Sequence, residues 1–229
     1  MVISDIRIKE IIKEQRKTIS ATVFPDGSVV IKTPIDATED KIQDFVKRKK
    51  QWINDKIEYF SKFNPVKQKN IVSGSSILYL GRQYQFIIQK SCLNNLVKVE
   101  RNKIIFYSSH PQKINEINHI FNKWLLKKSI TIFNNRLKEI MKTFDFPIPT
   151  LKVRKLNKRW GSYLKKHEII LNPALIQASK KAIDYIITHE LCHYYYETHS
   201  TEFYKLLSSK IPNWQDIELK LENKLLGKY

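Results

Sequence analysis

His189-Glu190-Leu191-Cys192-His193 is followed, six residues on, by His199. Two histidines four apart on a helix project from one face and can grip one metal ion. The glutamate between them stands beside that ion, where it can act as general base toward a water. The chain holds 6 His, and random placement gives such a pentapeptide roughly once in a hundred chains of this composition, so the flanking residues must decide. Ile183, Ile186, Ile187, Leu191 and Tyr194 recur at i, i+3 and i+4 and predict a helix over 180–195. The histidines and the glutamate fall at the edge of its apolar stripe, where an imidazole pair is poorly satisfied without a metal or a polar partner. The stretch therefore predicts a metal-dependent hydrolase.

His199 is a ligand only if the chain turns. Six steps of about 100° carry it to the wrong face of a continuous helix. Glu197-Thr198-His199-Ser200 permits the turn, because Ser200 or Thr201 is a good N-cap for a following helix with Phe203, Leu206, Leu207 and Ile211 on its apolar face. The spacing equals that of the long metzincin signature, but Tyr196 stands where that signature has Gly, so the turn must differ. Glu197, Glu202 and Glu218 are the alternative third ligands.

Upstream, residues 150–156, 159–164 and 168–171 read as strands, with Lys165-Lys166-His167 as a turn. An edge strand beside the metal can pair with an extended peptide and lay its scissile bond over the site. Strands, then the His-Glu helix, then a further helix is the order of a minimal zincin core. Arg159 and Trp160 are candidates for the cleft floor, and Tyr163, Tyr196 or Tyr204 for a hydroxyl that steadies an oxyanion. Asp184 is a candidate for orienting a ligand imidazole through its free ring nitrogen, with helix capping or a salt bridge as its competing role.

The rest of the chain predicts an α+β fold. Strand patterns cover 2–9, 17–24 and 29–32, with Phe24-Pro25-Asp26-Gly27-Ser28 as a hairpin turn, then 76–80, 84–90, 95–100 and 103–107. Thr38 caps a helix running to about residue 61, and a long helix spans about 112–143. The expected division is a β-rich region, 1–110, with one helix, and a second region, 111–229, holding the long helix and the metal-binding core, the two forming one compact whole. No internal repeat is visible in the residues.

At 229 residues and 42% hydrophobic, the chain can bury a proper core. Cys92 and Cys192 are the two cysteines, so neither a disulfide framework nor a second, thiolate metal site is expected. No apolar run approaches membrane-spanning length and the N-terminus lacks a signal-type apolar stretch, so a cytoplasmic protein is expected, with no membrane partner. Net charge is +19, and residues 67–144 alone supply +11 from fourteen basic and three acidic residues. Such a field attracts polyanions, nucleic acid and nucleotides included, or else simply solubilises the surface.

Taken together, these residues resemble the YgjP-like metallopeptidase family, related to the SprT-like and WLM zincins. The resemblance lies in Leu80-Gly81 with Tyr84, Arg159-Trp160-Gly161-Ser162, Leu171-Asn172 with Leu175, Asp184-Tyr185, the His189–His193 motif, His199-Ser200, Phe203, and Pro212 with Trp214. Tyr163-Leu164 replaces the family's frequent Cys-Ser, Tyr194 its usual Leu and Tyr204 its usual Trp. The resemblance implies one zinc ion on His189, His193 and His199, with Glu190 as base, and the family's name points to a peptide or protein substrate. Nucleotide pyrophosphohydrolase activity has also been attached to this group. A phosphoanhydride substrate held by Arg154, Lys155, Lys158 and Arg159 is therefore the second expectation, and a nucleic-acid-associated protease or a basic binding protein the third.

Overall fold

In a computed structural model, residues 2–3, 5–24, 26–61, 71–92, 95–156 and 159–225 are described. Pro25 of the expected hairpin turn, residues 62–70 after the first expected helix, and Lys158 lie outside them. The fold is α+β, and the chain divides between Lys67 and Gln68 into two compact units.

The first unit carries β1 (Val2–Ile3), β2 (Ile6–Glu14), β3 (Ser20–Val23), β4 (Val29–Pro34) and α1 (Glu39–Ser61). Its sheet runs β1-β2-β4-β3. Period-2 alternation in β2 sends Ile6 and Ile8 inward, where they meet Val29 and Ile31 of β4 and the buried stripe Ile42, Val46 and Ile53 of α1. The helix interrupts nothing apolar with its Lys47-Arg48-Lys49 run, which is exposed.

The second unit begins with β5 (Ser76–Tyr79), β6 (Arg82–Lys90), β7 (Leu96–Glu100) and β8 (Lys103–Ser108), ordered β5-β6-β8-β7, and continues into α2 (Ile114–Met141). The boundary expected near residue 110 therefore falls elsewhere. Ile77, Tyr79, Phe86, Ile104 and Phe106 of this sheet share one core with Ile117, Phe121, Phe133 and Leu137 of α2, so sheet and helix cannot be separated. Then come β9 (Thr150–Val153), β10 (Gly161–Leu164), β11 (Glu168–Leu171), a 3-10 turn at Pro173–Gln177, α3 (Lys180–Cys192), α4 (Thr201–Lys210) and α5 (Trp214–Leu225). The third sheet runs β10-β11-β9, with β10 at an edge.

A repeat absent from the residues is present in the topology. In each sheet a strand pairs parallel with the second arm of the hairpin that follows it: β2 with β4, β6 with β8, β9 with β11. The first arm pairs antiparallel on the other side, and a helix follows. The third helix is the one that bears the histidines.

The β5–β6 turn reaches that helix directly. Leu80 (φ 49) and Gly81 (φ 78) make a two-residue turn with both residues left-handed. The Leu80 and Gly81 amides donate to the carbonyls of Ile176 (2.9 Å) and Gln177 (3.1 Å). A Cβ on Gly81 would lie 2.7 Å from Ser179 Cα, so only glycine lets the turn seat against the start of α3.

Candidate metal centre and active site

Ser179 caps α3, its Oγ accepting from the Ala182 amide at 3.2 Å. Ile183, Ile187, Leu191 and Cys192 of the helix are fully buried, and each such side chain contributes roughly 1.5–3 kcal/mol of burial. This anchoring fixes the azimuth of the motif. The helix ends at Cys192, with His193 as its cap, and the chain turns through tyrosines 194–196. Ser200 then caps α4, accepting from the Phe203 amide at 3.3 Å. The turn that His199 requires is present.

The three imidazoles converge. His199 Nε2 lies 3.0 Å from His189 Nε2, and one ligand atom from each of His189, His193 and His199 falls within 4.8 Å of the others. Phe203, fully buried, floors the cluster, its ring 4.8 to 5.0 Å from each imidazole. His193 Nδ1 donates to the Tyr196 carbonyl at 2.9 Å, which leaves its Nε2 with a lone pair. Burial and the two neighbouring imidazoles push His189 down to about 3, so it stays neutral. A proton between His189 and His199 satisfies one nitrogen as donor and the other as acceptor. A cation satisfies both lone pairs and that of His193, so the donor set fits a divalent transition-metal ion. The alternative third ligands are engaged elsewhere. Glu197 pairs with Lys165 at 2.8 Å, the Glu202 carboxylate bonds Ser200 at the α4 cap, and Glu218 accepts from the Tyr185 hydroxyl.

Glu190 is 6% exposed. Burial pushes its carboxyl up to about 8, opposed by a bond from the Tyr163 amide and by the Arg159 guanidinium. Gly161 presses on it: a Cβ there would meet Glu190 Oε1 at 2.6 Å, Cγ at 2.8 Å and Cδ at 2.9 Å. The Trp-Gly dipeptide thus has a steric meaning that the sequence alone did not reveal.

An open cleft of about 630 Å³ runs over the cluster, with Arg159, Ser162, Tyr163, Lys165 and His167 from the β10 hairpin along it. Arg159 is exposed there and donates to Ser162 Oγ at 3.2 Å. The Tyr163 hydroxyl lies 2.9 Å from His167 Nδ1, and His167 Nε2 lies 2.7 Å from the Pro147 carbonyl. That carbonyl can only accept, so Nε2 carries the proton and a neutral His167 takes the Tyr163 proton on Nδ1. Tyr194 flanks the cleft, stacked on Phe146 at 3.9 Å.

Trp160 and Asp184 sit differently from the roles first expected of them. Trp160 is 5% exposed, and its indole N–H donates to Glu222 on α5 at 2.9 Å, which braces Gly161 from behind. Both oxygens of Asp184 take the Arg136 guanidinium of α2, at 2.6 and 2.9 Å. The salt bridge, its competing role, is what the geometry contains. Tyr196 packs on the core, and Tyr204 lies against His199. Helix α5 was not expected; Ile217, Leu221 and Leu225 carry its i, i+4 signal.

The metallopeptidase zymogen of Pyrococcus abyssi abylysin is similar at 24% identity, over 45% of this chain and 94% of its own, with a TM-score of 0.33. The metallopeptidase zymogen of Methanocaldococcus jannaschii jannalysin is similar at 22% identity, over 42% and 96%, with a TM-score of 0.34. No curated protein matches the chain significantly. The YgjP-like metallopeptidase domain matches residues 17–224, nearly the whole chain. The chain belongs to the YgjP-like metallopeptidase family.

Proposed function

We propose that the chain is a zinc-dependent peptidase whose ion is held by His189, His193 and His199 and whose general base is Glu190. The observation that carries this reading is the convergence of three imidazoles beside a buried carboxylate at the free edge of a β-strand. A zinc ion there supplies Lewis acidity, polarising a peptide carbonyl and making a water acidic enough to lose its proton near neutrality.

The chain's own groups do the rest. Trp160 O accepts from the Asn172 amide at 2.8 Å, so alternate residues of β10 turn their backbone groups toward β11, and Gly161 and Tyr163 turn theirs to the free edge, where Glu190 takes the Tyr163 amide and leaves the Gly161 groups and the Tyr163 carbonyl for a substrate. An extended peptide can pair there, which orients its scissile bond across the cleft. Glu190 takes the proton of the attacking water and passes it to the leaving amine. The Tyr163 hydroxyl, which rests on His167, becomes a donor to the oxygen that gains charge once it turns its one proton away from Nδ1. Arg159 adds a cation along the cleft for a substrate carbonyl or carboxylate. Trp160 and Asp184 serve as scaffold.

Arg159 and Lys165 give a phosphoanhydride substrate some support, but Lys165 is already paired with Glu197, which leaves one cation of the cleft, Arg159, among the described residues for a polyphosphate. The experiment is a panel of unstructured proteins and nucleoside triphosphates, with Glu190→Gln as the blank. Peptide turnover above that blank is expected. Triphosphate hydrolysis above it, with no peptide turnover, overturns the peptidase reading.

A further inference from the structure

The three candidate ligands are steadied in different ways. His193 is fixed by the bond from its Nδ1 to the Tyr196 carbonyl. His189 is fixed by burial on a packed helix. His199 lies on the turn between α3 and α4 and is exposed, and among the described residues no hydrogen bond reaches its Nδ1. Metal-binding imidazoles ordinarily donate their other ring N–H in such a bond, which sets the ring plane and the tautomer.

What His199 has instead is a column of aromatic rings. Its imidazole stacks on Tyr204, with centroids 6.0 Å apart and planes 28° apart. Tyr204 stacks on Trp214 at 5.1 Å and 14°. Trp214 stacks on Tyr185 at 6.3 Å and 10°. These separations lie within the range of offset aromatic pairs, each favoured beyond its buried area. Two rings of the column are tied, Trp214 in its middle and Tyr185 at its far end. The Trp214 indole N–H donates to Ser208 Oγ at 3.0 Å, and the Tyr185 hydroxyl bonds Glu218. Tyr185 also meets His189 edge-on, at 5.9 Å, one turn along α3. The rings therefore run from the first ligand, through α5 and α4, to the third.

We propose that the Tyr185–Trp214–Tyr204 stack is the positioning device of the third metal ligand, holding the plane of His199 in place of a hydrogen bond from its Nδ1. Tyr204 is the positioning residue in direct contact. The inference rests on the three-histidine reading of the site.

The test is the zinc dissociation constant, measured by competition with a chromophoric chelator, for Tyr204→Leu, Tyr204→Phe and His199→Ala. Tyr204 is 38% exposed, so the leucine variant loses little core. Its dissociation constant is expected to rise about 10- to 100-fold, the range found when a group that orients a ligand is removed, while Tyr204→Phe stays within about threefold because the ring is kept. With cobalt in place of zinc, the visible bands of Tyr204→Leu should shift from the wild-type pattern and those of Tyr204→Phe should not. If the leucine protein does not fold, Tyr204→Gln takes its place with the same expectation. Unchanged affinity in the ring-deleted variant, with a large loss in His199→Ala, overturns the positioning role and leaves the three-histidine site standing. Equal losses in Tyr204→Phe and Tyr204→Leu also overturn it, since the hydroxyl and not the ring would then matter. Unchanged affinity in His199→Ala overturns the underlying site reading instead.

Discussion

Gly161→Ala puts one methyl group against the carboxylate on which turnover is proposed to depend. The new Cβ would sit 2.6 Å from Glu190 Oε1, where ordinary contact begins at 3.4 Å, and its three nearest atoms all belong to Glu190. The carboxylate must therefore retreat by about 0.8 Å, because repulsion rises steeply inside the contact distance. It has little room to do so: Glu190 is 6% exposed, on a helix whose other faces are packed. A misplacement of about 1 Å in a reacting group costs on the order of 10²-fold in rate, or about 2.7 kcal/mol of barrier. Overpacking should also lower folding stability, by about 1–3 kcal/mol. The assay is kcat and KM on an unstructured protein substrate, beside zinc content and a denaturant titration. Turnover is expected to fall about a hundredfold with zinc content and KM little changed. A folded, zinc-replete Gly161→Ala protein that keeps kcat within about threefold of wild type would refute the placement of Glu190 in the reaction.

Glu190→Gln keeps the size of the side chain and removes its basicity, so kcat should fall by about 10²- to 10⁴-fold with the ion still bound, as read by turnover and metal analysis together. Gly81→Ala must accommodate φ 78 and a Cβ 2.7 Å from Ser179 Cα, so the β5–β6 turn should lift from the start of α3. Urea denaturation should register a loss of about 1–3 kcal/mol; an unchanged midpoint would count against the docking of this turn. Asp184→Asn breaks a half-buried, two-point pair with Arg136 and should cost about 1–2 kcal/mol of stability, between surface and buried pairs, while zinc affinity stays put. A zinc dissociation constant that rises tenfold in Asp184→Asn would return that residue to the metal site.

Much of the centre was legible because its signals are local. The stripe from Ile183 to Tyr194 set the motif helix, and the cap at Ser200 made the turn that carries His199 back. Both depend on residues within one or two turns of each other, where side-chain periodicity and capping act. Strand positions were legible for the same reason, to within two or three residues at most ends. The domain boundary was not, because the packing of β5–β8 onto α2 joins Phe86 to Phe121, residues far apart in the chain, and composition does not report such pairing. Trp160 read as a cleft residue because its type suits a cleft. Its burial follows from Glu222 on a helix that was not anticipated, sixty-two residues away. Gly161 was quoted in a motif without its meaning, since nothing in a sequence tells which side chain will press on a missing Cβ. The Tyr204–Trp214 column was hidden likewise: a tyrosine on α4 and a tryptophan on α5 become neighbours only when the helices pack.

Zinc titrated into metal-free protein, with peptide turnover read at each addition, goes straight to the proposed chemistry. Turnover should rise in proportion to zinc until each chain holds one ion. His189→Ala, His193→Ala and His199→Ala should each lose tight uptake, and Glu190→Gln should take up the ion and remain inactive. Turnover that persists after chelation, or a Glu190→Gln protein as active as wild type, would contradict a peptidase built on these four residues.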